Sequence, residues 1–147
     1  MRHWDPARRL LRCVRDYQRV GGLGRKWAAL RHRVWSVITG AEIDLSTQIG
    51  GGLMLPHPNG VVIHPDVVIG PNCMIFQQVT LGNNRGRDGV PTLGGHVDVG
   101  PGARVLGAVT IGDHAVIGAN AVVLRDVPAG AVAVGVPARI LPQEARE

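Results

Sequence analysis

The sequence predicts an all-β solenoid of six-residue repeats, and three observations predict it. Aliphatic residues recur at intervals of six: Ile43, Ile49 and Leu55, then Ile63, Ile69, Ile75 and Leu81, then Leu93, Val99, Val105, Ile111, Ile117 and Val123. Four residues after most of these comes a second small or β-branched residue, as at Val67, Cys73, Val79, Val97, Ala103, Val109, Ala115, Ala121 and Val127. Glycine follows the first position at 50, 70, 82, 94, 100, 112 and 118. Two inward positions per hexad, with glycine or asparagine at the turns, describe short parallel strands stacked coil on coil. Three hexads make a triangular coil of about 18 residues, so the stretch up to residue 140 holds about five coils. A single coil cannot bury its inner face, and stacking supplies the stability.

Composition agrees with a narrow, repetitive interior. The 147 residues include 21 Gly and 10 Pro, and 45% are hydrophobic while only 3% are aromatic. Small aliphatics with many glycines and almost no rings do not build a wide core. No apolar run is long enough to suggest a membrane span, and no apolar segment follows the charged N-terminus as in a secretory signal. Cys13 and Cys73 lie at a spacing that indicates neither a disulfide framework nor a zinc site. A cytoplasmic protein without a metal is the expectation.

The net charge of +5 divides unevenly along the chain. Residues 1–39 hold ten Arg or Lys against Asp5 and Asp16, while the remainder has six Arg against nine carboxylates. The basicity therefore belongs to an N-terminal arm, residues 1–40, which also carries Trp4, Tyr17, Trp27 and Trp35. In "DPARRLLRCVRDYQRV", Asp5 is placed to cap a helix and Pro6 to occupy its first position. Leu10, Val14 and Tyr17 follow helical spacing, as do Cys13, Tyr17 and Val20. "GGLG" at 21–24 breaks that helix, and a second follows with Trp27, Leu30, Val34 and Ile38 on one face. Two readings of the arm stay open. Its apolar stripe packs on the body or a neighbouring subunit, or the basic arm meets an anionic membrane surface or anionic polymer. Nucleic acid is not expected, because no binding motif accompanies the charge.

The body, residues 41–141, breaks its rhythm twice. From Leu55 to Ile63 is eight residues, so "PHPNG" contains two that the repeat does not need. From Leu81 to Leu93 is twelve, and the polar segment "NNRGRDGVPT" carries Arg87 where an aliphatic residue belongs. That segment predicts a loop over 83–92. Breaks in a consistent local rule mark candidate functional sites, and these two are expected to flank one cleft. His57 sits in the first break, stiffened by Pro56 and Pro58 and followed by an Asn59-Gly60 turn. His64, His96 and His114 fall at turn positions of regular hexads and read as exposed corners. Cys73 occupies an inward slot and reads as core. Residues 142–147 form a short tail.

"IGPNCMIFQQVTLG", "VGPGARVLGAVTIGDHAVIGANAVVLRDVP" and "AVGVPARIL" resemble the hexapeptide acyltransferases, and most closely the serine acetyltransferase branch with its sugar-acetylating relatives. The resemblance covers residues 41–141 and implies a left-handed parallel β-helix, although the handedness rule for parallel crossovers favours the opposite hand. It further implies an acetyl-CoA-dependent O-acetyltransferase acting as a homotrimer, each site lying between two subunits. "HPNGVV" fits the family's general base, His57. The family's orienting carboxylate stands fifteen positions earlier, which is Glu42, with Asp44 as the neighbouring alternative. For CoA the resemblance implies Gly82, Asn83, Pro101 and Ala119, with Arg139 for a phosphate. Asn84, Arg87 and Asp88 of the loop are the acceptor-facing candidates. A hydroxyl attacks a thioester poorly unless its proton leaves as it attacks, and a neutral histidine held in one tautomer suits that task.

Two departures bear on the acceptor. Serine-acetylating relatives carry an acid just before the histidine, where this chain has Pro56, and Arg-His before the loop proline, where it has Gly89-Val90. The sequence therefore favours a sugar hydroxyl of a polysaccharide or glycan precursor over L-serine, which remains the alternative. A non-catalytic scaffold is the reading of another class, and the "PHPNG" break counts against it.

Overall fold

The computed structural model describes residues 5–85 and 88–141. His3, Trp4, Arg87 and the tail 142–147 lie outside them. The predicted solenoid is present, its parallel strands forming three faces. The first face stacks β1 (Glu42–Ile43), β3 (Val62–Ile63), β6 (Thr80–Gly82), β9 (Arg104–Leu106) and β12 (Val122–Val123). The second stacks β2 (Gln48–Ile49), β4 (Val68–Ile69), β7 (Thr92–Leu93) and β10 (Thr110–Ile111), which Val127 extends by a bridge to Ile111. The third begins with a Met54–Met74 bridge and continues through β5 (Met74–Ile75), β8 (Asp98–Val99), β11 (Val116–Ile117) and β13 (Val132–Val134). A final strand, β14 (Arg139–Ile140), turns back antiparallel along β13.

Register explains the hexad. Ile43, Ile63, Leu81, Val105 and Val123 stack directly along the first face, each buried. The second inward set is buried too, Cys73 among it, and desolvation pushes that thiol's pKa up. Thr47 fills the slot that Val67 and Val109 occupy in other coils, and its buried Oγ1 has no hydrogen-bond partner among the described residues. The glycine after the first position answers to close approach. A Cβ on Gly50 would lie 2.6 Å from the carbonyl carbon of Gly70 in the next coil.

The arm is a helical hairpin, α1 (Pro6–Arg19) and α2 (Gly22–Thr39), set on the first coil. Asp5 caps α1 as expected, its Oδ1 accepting from the Arg8 N–H at 2.9 Å. The chain breaks at Val20-Gly21, so Gly22 to Gly24 belong to α2 rather than to the turn. Ala7, Leu10, Leu11 and Val14 of α1 join the solenoid core. Arg9 lies over Trp35 at 5.4 Å and Arg25 over Tyr17 at 4.3 Å, tying the two helices together.

Polar side chains of the hairpin meet the outer carbonyls of the first coil. Gln18 donates to Leu45 and Thr47 at 2.9 and 3.0 Å, Arg15 reaches Gly50 at 3.4 Å, and the His32 Nε2–Ile43 oxygen distance is 2.7 Å. The stripe of α2 is placed otherwise than on the body. Trp27, Leu30, Val34 and Ile38 are all exposed, and only Ala28 and Thr39 of this helix are buried.

Candidate active site

The first break falls at the corner between the third and first faces. Met54 is still paired with Met74 and Leu55 is buried, after which Pro56 and His57 stand exposed. The chain re-enters through a turn that other coils hold on both sides. Gly60, at φ +72°, donates to Gly40 at 2.8 Å, and the Asn59 carbonyl accepts from Gln78 at 3.0 Å. The turn is thus anchored below and above, while the two extra residues project beside it. His57 is displaced because its neighbours are held.

Glu42 opens β1 one coil below. Its N–H donates to Val61, four residues past His57, and it lies in register with Val62. Neither the His57 ring nor the Glu42 carboxylate makes a hydrogen bond or ion pair among the described residues of the single chain. Asp44 is placed differently, at the far end of β1. Its Oδ1 accepts from the Ser46 N–H at 2.8 Å and hydroxyl at 2.6 Å, and these bonds hold its carboxyl below the usual range. Of the two carboxylates, Glu42 is the one beside the His57 corner with its side chain free.

His64, His96 and His114 are corner residues. The His64 Nδ1 accepts from the Asp66 N–H at 3.2 Å, with the Asp66 carboxylate 3.8 Å away. His96 and His114 both take left-handed backbone conformations and stack with ring centroids 4.9 Å apart.

The second break leaves from the opposite edge of the first face. The chain departs at Gly82 and returns at Pro91, whose carbonyl accepts from Val68 at 3.4 Å. Asn83, Arg85 and Asp88 are exposed, and Asn84 is half-buried. The bulge and the loop therefore sit on different edges, with the width of a face between them, and do not flank one cleft of a single chain. The remaining candidates divide in the same way. Pro101 and Ala119 lie on the His57 edge, where Gly102 donates to Gln77 and Asn120 donates to Pro101. Arg139 lies with Asn84 on the loop edge, lining a cavity of about 600 Å³ with Leu124, Arg125, Pro137 and Ala138.

Arg125 is the residue that sequence reasoning passed over. It and Arg139 are both exposed and make no ion pair among the described residues, and their two guanidinium groups line one cavity. The available signal was a cation in a turn of an otherwise regular hexad, "VVLRDVP". A cavity lined by two cations and an asparagine suits an anionic, phosphate-bearing group.

Comparison with known proteins agrees with this architecture. Residues 91–125 match the family model described as bacterial transferase hexapeptide (six repeats). A serine acetyltransferase of Synechococcus elongatus is 44% identical over 107 residues, covering 71% of this chain and 44% of the relative. The structure superposes on a soybean serine acetyltransferase complexed with serine with TM-score 0.78 and 34% identity, over 92% of this chain and 56% of that one. A serine acetyltransferase in complex with CoA gives TM-score 0.79 and 33% identity, over 94% and 58%. The chain belongs to the hexapeptide-repeat acyltransferases, in their serine acetyltransferase branch. It spans about half the length of the relatives it matches.

Proposed function

We propose that this protein is an acetyl-CoA-dependent serine O-acetyltransferase. The observation that carries the reading is the bulge at residues 56–60. It interrupts a regular solenoid only to expose a histidine, beside a carboxylate from the coil below, in a chain whose relatives are serine acetyltransferases. The relatives move the acceptor from the sugar hydroxyl favoured by sequence to L-serine. Arg85 and Asp88, both exposed on the loop, are groups of the right charge for the carboxylate and ammonium of an amino acid.

In the proposed reaction an imidazole nitrogen of His57 takes the hydroxyl proton of the acceptor as its oxygen bonds to the thioester carbonyl carbon. The carbon–sulfur bond then breaks, and the imidazolium returns the proton to the departing thiolate of CoA. Glu42 acts on this step by orienting the ring and stabilising the imidazolium as it forms in the reaction. The described residues include no serine or cysteine placed as a nucleophile, since Cys13 and Cys73 are buried, and direct transfer needs none. The cavity at Arg125 and Arg139 fits the phosphate-bearing end of CoA.

The division of the candidates between two edges supports a site shared by adjacent copies. One copy would supply His57 and Glu42 and its neighbour the loop, as in the homotrimer that the family resemblance implies. The second reading, a sugar acceptor, rests on Pro56 and Gly89-Val90 standing where serine-specific groups are found. Release of free thiol from acetyl-CoA, measured with L-serine, amino sugars and nucleotide sugars, separates the two. L-serine should turn over fastest, and a faster sugar would overturn the assignment.

A further inference from the structure

We propose that the outward face of α2 docks on an anionic membrane surface. Leu23, Trp27, Leu30, Val34, Val37 and Ile38 are between 50% and 84% exposed. At helical pitch these six fall within about 100° of arc and extend over about 22 Å. Large apolar side chains arranged in one stripe are what a water-facing helix ordinarily lacks. The opposite side of α2 is already engaged with the molecule. Ala28 and Thr39 are buried there, Trp35 packs against the core, and His32 meets the Ile43 carbonyl.

Charge identifies the occupant. α2 contains Arg25, Lys26, Arg31 and Arg33 and no carboxylate. By the same pitch Lys26 and Arg33 border the stripe on one side and Arg31 on the other. Among the described residues Arg31 alone of these three has an acidic partner, Asp16 of α1 at 3.5 Å, and both groups of that pair are partly exposed. A second copy laid on this face would set cations against cations with no acid on either helix to match them. An anionic lipid surface complements the border and takes the stripe into its acyl boundary. No helix among the described residues is long and apolar enough to cross a membrane, so the stripe would lie in the plane of the interface.

The test uses the full chain with phosphatidylcholine vesicles, with and without phosphatidylglycerol, in co-sedimentation. Binding should be at least tenfold stronger to the anionic vesicles and should weaken as salt is raised. Replacing Trp27 and Leu30 by Asp should abolish it, while helix content and soluble acetyl transfer stay unchanged. Lys26→Gln with Arg33→Gln should weaken it by about tenfold or more, from roughly one kcal/mol per surface cation. Equal binding to both vesicle types, or none, would overturn the proposal. So would a fall in assembly mass in the Asp variant, which would assign the face to a second copy. Because acetyl transfer is measured separately, these outcomes leave the catalytic reading untouched.

Discussion

The backbone N–H of Glu42 donates to the carbonyl of Val61 at 2.8 Å, fixing the start of the first strand against the chain that has just left the His57 bulge. The candidate acid and the candidate base are fifteen positions apart in sequence, and one ladder hydrogen bond holds their coils in step.

From this arrangement, His57→Ala should lower kcat by about 10²–10⁴, the range of a general base. Glu42→Gln should act through the ring. It is expected to lower kcat by about tenfold and leave KM for acetyl-CoA unchanged, with partial recovery in Glu42→Asp. Asp44→Asn should leave kcat unchanged. Steady-state kinetics distinguishes the three, and an Asp44 variant as slow as the Glu42 variant would reverse their roles.

Asp44 has an effect of another kind. Its bonds to Ser46 lower its folded-state pKa. A depressed carboxylate contributes stability that is present above its unfolded pKa and lost as pH falls through the folded value. Asp44→Asn should therefore melt below the parent at neutral pH, with the difference closing in acid below the ordinary Asp range. Thermal melts from neutral pH down to that range check the sign.

A site divided between copies predicts complementation. His57→Ala keeps an intact loop edge, and the Arg125→Ala, Arg139→Ala double variant keeps an intact histidine edge. Unfolded together and refolded as a mixture, the two should show activity above either parent alone. Activity no greater than the average of the separate proteins would place each whole site within one chain.

Thr47 offers a test of the core. Its hydroxyl is fully buried without a partner, in a slot that valine fills elsewhere. Burying an unsatisfied hydroxyl costs about 1–3 kcal/mol, so Thr47→Val should raise stability by about 1 kcal/mol or more in chemical denaturation.

The solenoid was legible because its rule is local and repeated. Ile63 and Leu81 look alike in sequence because they stack on one another in register. His57 was legible as a failure of that rule. The placement of the two breaks on different edges was not, because equal hexads do not say which corner of the triangle each one turns. Arg125 escaped notice for a related reason: a single cation in a turn gains meaning only beside Arg139 and Asn84, brought near by stacking rather than spacing. The α2 stripe was read correctly as a stripe. Its direction was open, since Trp27 and Leu30 show the same periodicity whether they face a core or water.

The contacts of Gln18, Arg15 and His32 have a consequence for solubility. The lowest coil of a stacked ribbon is an unpaired strand edge, ready to template the strand of another molecule. Here three side chains occupy its carbonyls at Ile43, Leu45, Thr47 and Gly50. At the other end β14 reverses direction and Leu141 donates back to Val132. The hairpin and the reversed strand thus cap the two ends of the stack, where strand-to-strand growth from one molecule to the next would otherwise begin.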